Sequence, residues 1–240
     1  MSNSSCINVI NENRLTYYES IGINPEIKVA RKMYGTSHNP EDKLINDQKN
    51  YTLQYTDEIF RAFVDAVIPR TPGLAQEYGI VQYYGALNLN TDEYLILTLN
   101  NYYTPIAYPT AEMLESAAEQ FAYTEGTERD KALEFIDFNV FASLAPMNRL
   151  LVINLLEQSM LDISNLPVPF QNNQGYILYI TSALNQFTMM GYYSEWSGYG
   201  STRLETPNMR KLEYFPLSWE QVGYPGPSLG YRALRVNNSR

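Results

Sequence analysis

The chain has 240 residues, 45% apolar and 18% charged, a globular composition long enough to bury a sizeable core. Its formal net charge of −9 argues against nucleic-acid binding, which needs a basic footprint. A single cysteine, Cys6, excludes an intrachain disulfide, a cysteine-based zinc site and an iron–sulfur cluster, and a single histidine, His38, leaves a serine-type triad one residue to draw on.

Charge is unevenly spread. Residues 51–200 hold five Lys/Arg (Arg61, Arg70, Arg129, Lys131, Arg149) against seventeen Asp/Glu, a balance of −12. The last forty residues hold six Lys/Arg against three Glu, or +3. A basic tail on an acidic body can lie back on its own domain or reach an acidic partner. Tyrosine is abundant, at 21 residues. It joins apolar area to a hydroxyl and suits half-buried surfaces and interfaces. A compositional bias that also raises Asn and Ile is the other source of such a count.

Residues 1–50 are polar and read as an irregular arm, with some helix around PEIKVARKMYG and His38 in a turn-rich loop. The beginning has no charged-then-apolar pattern and no twin-arginine pair, so the sequence predicts no signal peptide. The first strong element is TDEIFRAFVDAVIP. Thr56 is its expected N-cap, Ile59, Phe60, Phe63, Val64 and Val67 recur at helical spacing, and Pro69 ends it. RTPGLAQEYG reads as a turn into a short helix. NTDEYLILTLNNYY repeats the start signal, with Asn90 or Thr91 as cap and Leu95, Ile96 and Leu99 as its stripe.

The next helix is expected from Thr110 to a C-cap near Gly126. Its Glu112, Glu115 and Glu119 share one face, and that face is expected to be solvated. TERDKALEFIDFNVFASLAPMNRLLVINLLEQSM predicts two helices, Glu128 to Ala142 and one capped by Ser143 with Pro146 in its first turn. The uncharged run from Ile163 to Ser194 is long, but its prolines, Asn and Gln residues would need partners in lipid, so it reads as a buried segment rather than a membrane span. Within it GYILYITSALNQFTMMGYY predicts a central helix, apolar on most of its circumference, with Met189 and Met190 as core filler. Turns follow.

The expected fold is therefore mostly α. A polar arm (1–50) precedes a helical domain (51–195), and an extended aromatic tail (196–240), rich in Pro and Gly, packs on the domain or on a partner. No helix or central strand can run through Pro225 and Pro227. Proline and glycine there lower the entropy of ordering and permit sharp turns, while Trp219, Tyr224 and Tyr231 supply buried area.

Three stretches, in order, resemble the gluconate 2-dehydrogenase subunit 3 family. The first is FVDAVIPRTPG, with Asp65, Ile68, Pro69, Thr71 and Gly73. The second is FASLAPMNRLLVINLLEQ, with Leu144, Pro146 and Arg149. The third is MMGYYSEW, with Gly191, Tyr192 and Tyr193, followed by WEQVGYPGP. The resemblance covers about residues 57–231. It implies the small accessory subunit of a bacterial FAD-dependent sugar or sugar-acid dehydrogenase. Such a subunit has no catalytic residue, metal or cofactor of its own. FAD and hydride transfer would belong to a large partner of the glucose–methanol–choline type.

Family members often carry a twin-arginine signal, and none is seen here. Without one, and without a membrane-inserting segment, the expectation is a cytoplasmic location unless a partner carries the chain out. The candidate interface is Trp196, Trp219, Gly223, Tyr224, Pro225, Gly226, Pro227 and Tyr231. The alternative is a stand-alone structural or interaction protein of the same fold.

Overall fold

A computed structural model describes residues 40–124 and 139–226. The expectations for His38, Cys6, the PEIKVARKMYG helix, the Gly126 cap, the body of the 128–142 helix, Pro227 and Tyr231 lie outside these residues. Side chains are described from residue 52 onward. Helices account for all the regular structure among the described residues: α1 (Pro40–Val67), α2 (Ala75–Tyr78), α3 (Thr91–Asn100), α4 (Ala107–Thr124), α5 (Val140–Ser143), α6 (Pro146–Glu157), α7 (Gln174–Tyr193) and α8 (Leu217–Gln221). Short 3-10 stretches join them, the longest at Trp196–Thr202. None of the helices among the described residues is long and apolar enough to cross a membrane.

The mostly α fold follows from apolar spacing. On α1, Ile59, Phe60, Phe63 and Val64 are all within 1% of full burial. Burying each contributes on the order of 1.5–3 kcal/mol. Leu95 and Leu99 of α3 and Met113, Leu114, Ala117 and Ala118 of α4 join them in one core. α7 is the central element and packs on α3 and α6, while α4 packs on α5 and α6.

Several helix starts differ from the expectation. α1 begins at Pro40, so Thr56 is an interior residue and not a cap. Its hydroxyl donates to the Thr52 carbonyl one turn back, at 2.8 Å. That bond uses the hydroxyl as a donor, whereas a cap would use its oxygen as an acceptor. α4 likewise starts at Ala107, and Thr110 donates to the Ile106 carbonyl at 2.7 Å. The N-cap position of α6 is Ala145, with Pro146 in the first turn. Ser143 instead donates to the Val140 carbonyl.

The outer side of α7 also departs from the reading of a helix buried all round. Ile177, Ile180, Leu184 and Tyr192 face the core. Met189 and Met190 are 39% and 54% exposed, so they do not fill the core. The described tail, residues 196–226, has no strand and turns back on the body through α8.

Candidate functional site

The three motif stretches lie on different elements and interlock. Asp65, near the end of α1, and Arg149, in the first turns of α6, approach to 3.5 Å. Arg149 also donates to two backbone carbonyls, of Ala62 at 3.0 Å and of Ala142 at 2.8 Å. A rigid, planar guanidinium fork suits all three at once. Burial pulls the Arg149 pKa down from its ordinary value, and the Asp65 carboxylate offsets part of that pull. Leu144 packs against the core beside this junction, and Pro146 starts α6.

Ile68, Pro69, Thr71 and Gly73 form the turn after α1. The Thr71 backbone N–H donates to the Gln82 carbonyl at 3.0 Å, and the Thr71 hydroxyl donates to the Gln82 side chain at 2.5 Å. The Ala86 N–H donates to the Ile68 carbonyl. Pro69 and Gly73 are exposed. The turn is thus stitched to the loop that leads into α3.

Gly191 and Tyr192 close the same region from α7. A Cβ on Gly191 would lie 2.7 Å from Tyr94 Cδ1 and 3.0 Å from Thr91 Cγ2, so only glycine lets α7 and α3 approach this closely. The Tyr192 hydroxyl sits within hydrogen-bond reach of the Val81 carbonyl at 3.0 Å and the Tyr84 carbonyl at 2.7 Å. Burial pushes its pKa up to about 12.

Trp196 is 1% exposed. Its indole N–H donates to the Asn90 carbonyl at 2.7 Å, and its ring meets Tyr94 edge-on. The Arg210 guanidinium lies over the ring, 5.5 Å from its centroid. Trp196 is therefore a packing residue, which removes it from the candidate interface: a ring closed in by its own chain offers nothing to a partner.

The rest of the aromatic tail is different. α8 hooks onto the body through Gln221, whose side chain accepts from the Val81 N–H and donates to the Tyr78 carbonyl. Ser218 and the Trp219 indole both donate to the Tyr193 carbonyl at 3.2 Å. Phe215, Trp219 and Tyr224 then meet edge to face, with centroids 5.7 and 4.9 Å apart. Phe215 is 47% exposed and Tyr224 42%. Gly223 and Gly226 take φ values of +67° and +90°, which turn the chain around this ledge. Pro225 is exposed. Tyr193 itself is 53% exposed beside the ledge. The sequence marked Trp219 and Tyr224; Phe215 and Tyr193 as ledge partners needed the tail's path.

The acidic face of α4 is not uniformly solvated. Glu119 is exposed, but Glu115 is half-buried. Its carboxylate accepts from the Val140 and Phe141 N–H groups at 2.5 and 2.9 Å, capping α5 from another helix. Burial raises its pKa, and those two bonds lower it in part. Asp92, 1% exposed in its side chain, pairs with Arg61 at 3.1 Å. Burial raises its carboxyl to about 7, while Arg61 opposes the shift. Among the described residues no group of three or more His, Cys, Asp or Glu has metal-holding geometry.

No family model, curated protein or solved structure matches the chain.

Proposed function

We propose that this chain is a non-catalytic small subunit that binds and stabilises a large FAD-dependent dehydrogenase of the glucose–methanol–choline type, acting on sugars or sugar acids. The supporting observation is the convergence of the three resembling stretches. Asp65 and Arg149 join the first to the second. Tyr192 ties the third to the loop at Val81 and Tyr84, which is stitched to the turn of the first. Residues that resemble a family's motifs thus act as one internal scaffold, and the ledge of Phe215, Trp219 and Tyr224 is left facing outward. Exposed aromatic residues on a fixed base are the anchors that protein interfaces favour.

In this reading the chain supplies no hydride acceptor. FAD is held by the partner, and this subunit contributes buried area and order. The test is co-expression with the flavoprotein encoded nearest in the genome. A stoichiometric complex should form, yellow from the partner, while this chain alone is colourless. Stoichiometric flavin on this chain alone would overturn the assignment.

A second reading has its own support. Gln221, Ser218 and Trp219 dock α8 on the chain's own body. A stand-alone structural or interaction protein would need no more than that. It predicts that no flavoprotein co-purifies.

A further inference from the structure

Beside α8 the body carries a second exposed apolar face. The 3-10 stretch Ile80–Tyr83 buries Val81 but leaves Ile80 52% and Tyr83 48% exposed. Side chains three apart eclipse in a 3-10 helix, so these two stand in one line. Tyr78, at the end of α2, is 54% exposed, and Val222, just past α8, is 76% exposed. Gln221 holds the two elements side by side: its side chain accepts from the Val81 N–H and donates to the Tyr78 carbonyl. Gly79 leaves it room, since a Cβ there would lie 2.7 Å from the Gln221 side chain. The face is thus set by the chain's own hydrogen bonds.

Charge and connectivity indicate what covers it. Glu77 and Glu220 are exposed and adjoin Tyr78 and Gln221 in the chain. The Tyr83 end differs, because Arg70 donates to the Tyr83 carbonyl there. From Gly226 the chain continues as PSLGYRALRVNNSR, which carries Leu229, Tyr231, Leu234 and Val236 with Arg232, Arg235 and Arg240 and no acid. Gly226 follows Gln221 by five residues, so it lies within about 20 Å of Val81, and the stretch from Pro227 to Leu234 reaches about 26 Å when extended. Leu234 can therefore reach Ile80. A segment tethered this close meets the face at an effective concentration on the order of mM, which a free partner or a second copy would have to exceed.

We propose that residues 227–240 close over the face of Tyr78, Ile80, Tyr83 and Val222, with Leu234 and Val236 on the apolar residues and Arg232 and Arg235 toward Glu77 and Glu220. This intramolecular cover lies beside the ledge of Phe215, Trp219 and Tyr224. It goes beyond the accessory-subunit reading and does not depend on it.

The experiment uses the full chain with Cys6→Ser and a reporter thiol at Ile80→Cys, labelled with a bulky maleimide. A face covered about nine-tenths of the time labels about tenfold more slowly than an open one. Adding Leu234→Glu and Val236→Glu should therefore speed labelling by about tenfold. Arg232→Glu with Arg235→Glu should act in the same direction, and added salt should speed the parent chain. Tyr103→Cys, at a fully exposed tyrosine, should label at one rate in every background. Tyr83→Cys replaces Ile80→Cys as reporter should the latter lose the helical circular-dichroism signal. Equal rates with and without the Leu234 and Val236 changes would overturn the proposal. A rate that slows as chain concentration rises would assign the face to a second copy. Slowing only on addition of the flavoprotein encoded nearest in the genome would assign it to that partner. Either result also overturns the proposal.

Discussion

The Arg149 guanidinium lies 3.5 Å from the Asp65 carboxylate, but its closer partners are the Ala62 and Ala142 carbonyls at 3.0 and 2.8 Å. The two motif residues therefore play unequal parts. Arg149 is mostly buried and bonds two backbone carbonyls, whereas Asp65 keeps 43% of its side chain in water. Arg149→Ala removes a charged donor from both carbonyls and should cost about 1.5–3 kcal/mol. Asp65→Ala should cost under about 1 kcal/mol, as an exposed ion pair does. Chemical denaturation of the two variants checks this. Equal losses would mean that the ion pair, not the backbone bonds, holds the junction.

The close approach of α7 to α3 gives a second expectation. Gly191→Ala must push Tyr94 or separate the helices, and overpacking of this kind costs about 1–3 kcal/mol. The tilt should loosen the Trp196 pocket, since Trp196 packs on the same Tyr94. Near-ultraviolet dichroism of the tryptophans should change along with the melting temperature. An unchanged melting temperature would show that the helices separate freely.

Trp196 separates packing from docking. Trp196→Ala should cost about 3–5 kcal/mol through its cavity and its lost bond to Asn90. A partner lost through this variant would be lost with the fold. A fully folded Trp196→Ala chain, by thermal melting, would contradict its placement in the packing.

Asp92 sets a pH dependence. Its folded pKa of about 7 lies above its unfolded value near 4. Between these two values the folded state binds more protons, so stability falls as pH rises from about 4 to 7 and then levels. Glu115, also raised by burial, acts in the same direction. Asp162 and Glu213 are lowered by hydrogen bonds from Ser164 and Ser201, so their contribution is lost only as pH falls below about 4. The melting temperature should be higher at pH 5 than at pH 7.5, and Asp92→Asn should reduce that difference. A slope unaltered in the variant would place its source elsewhere.

The helices themselves were legible because their apolar spacing is strong: Ile59, Phe60, Phe63 and Val64 on α1, and Leu95 and Leu99 on α3, are core residues as the period requires. Starts were less legible. Thr56 and Thr110 have cap chemistry, but each found a carbonyl four residues back. Glu115 read as part of a solvated face because the backbone it caps belongs to another helix, Val140 and Phe141. α7 read as buried all round because apolar residues occupy both sides; composition cannot tell a core face from an uncovered one. Trp196 and Trp219 look alike in sequence, and only the fold separates the enclosed indole from the half-open one.

The central claim is that the tail ledge holds a flavoprotein while the motif residues hold the fold. The most direct measurement is the affinity of the purified chain for the flavoprotein encoded nearest in the genome, wild type against Trp219→Ala/Tyr224→Ala. The phenol is exposed and the indole half-buried beside the short α8, outside the helices of the core, so the variant should keep its helical signal. Truncating anchors of this kind commonly costs about 2 kcal/mol or more in binding, so affinity should fall at least about thirtyfold. A folded double variant that binds as tightly as the wild type, or a wild-type chain that does not bind at all, would contradict the account.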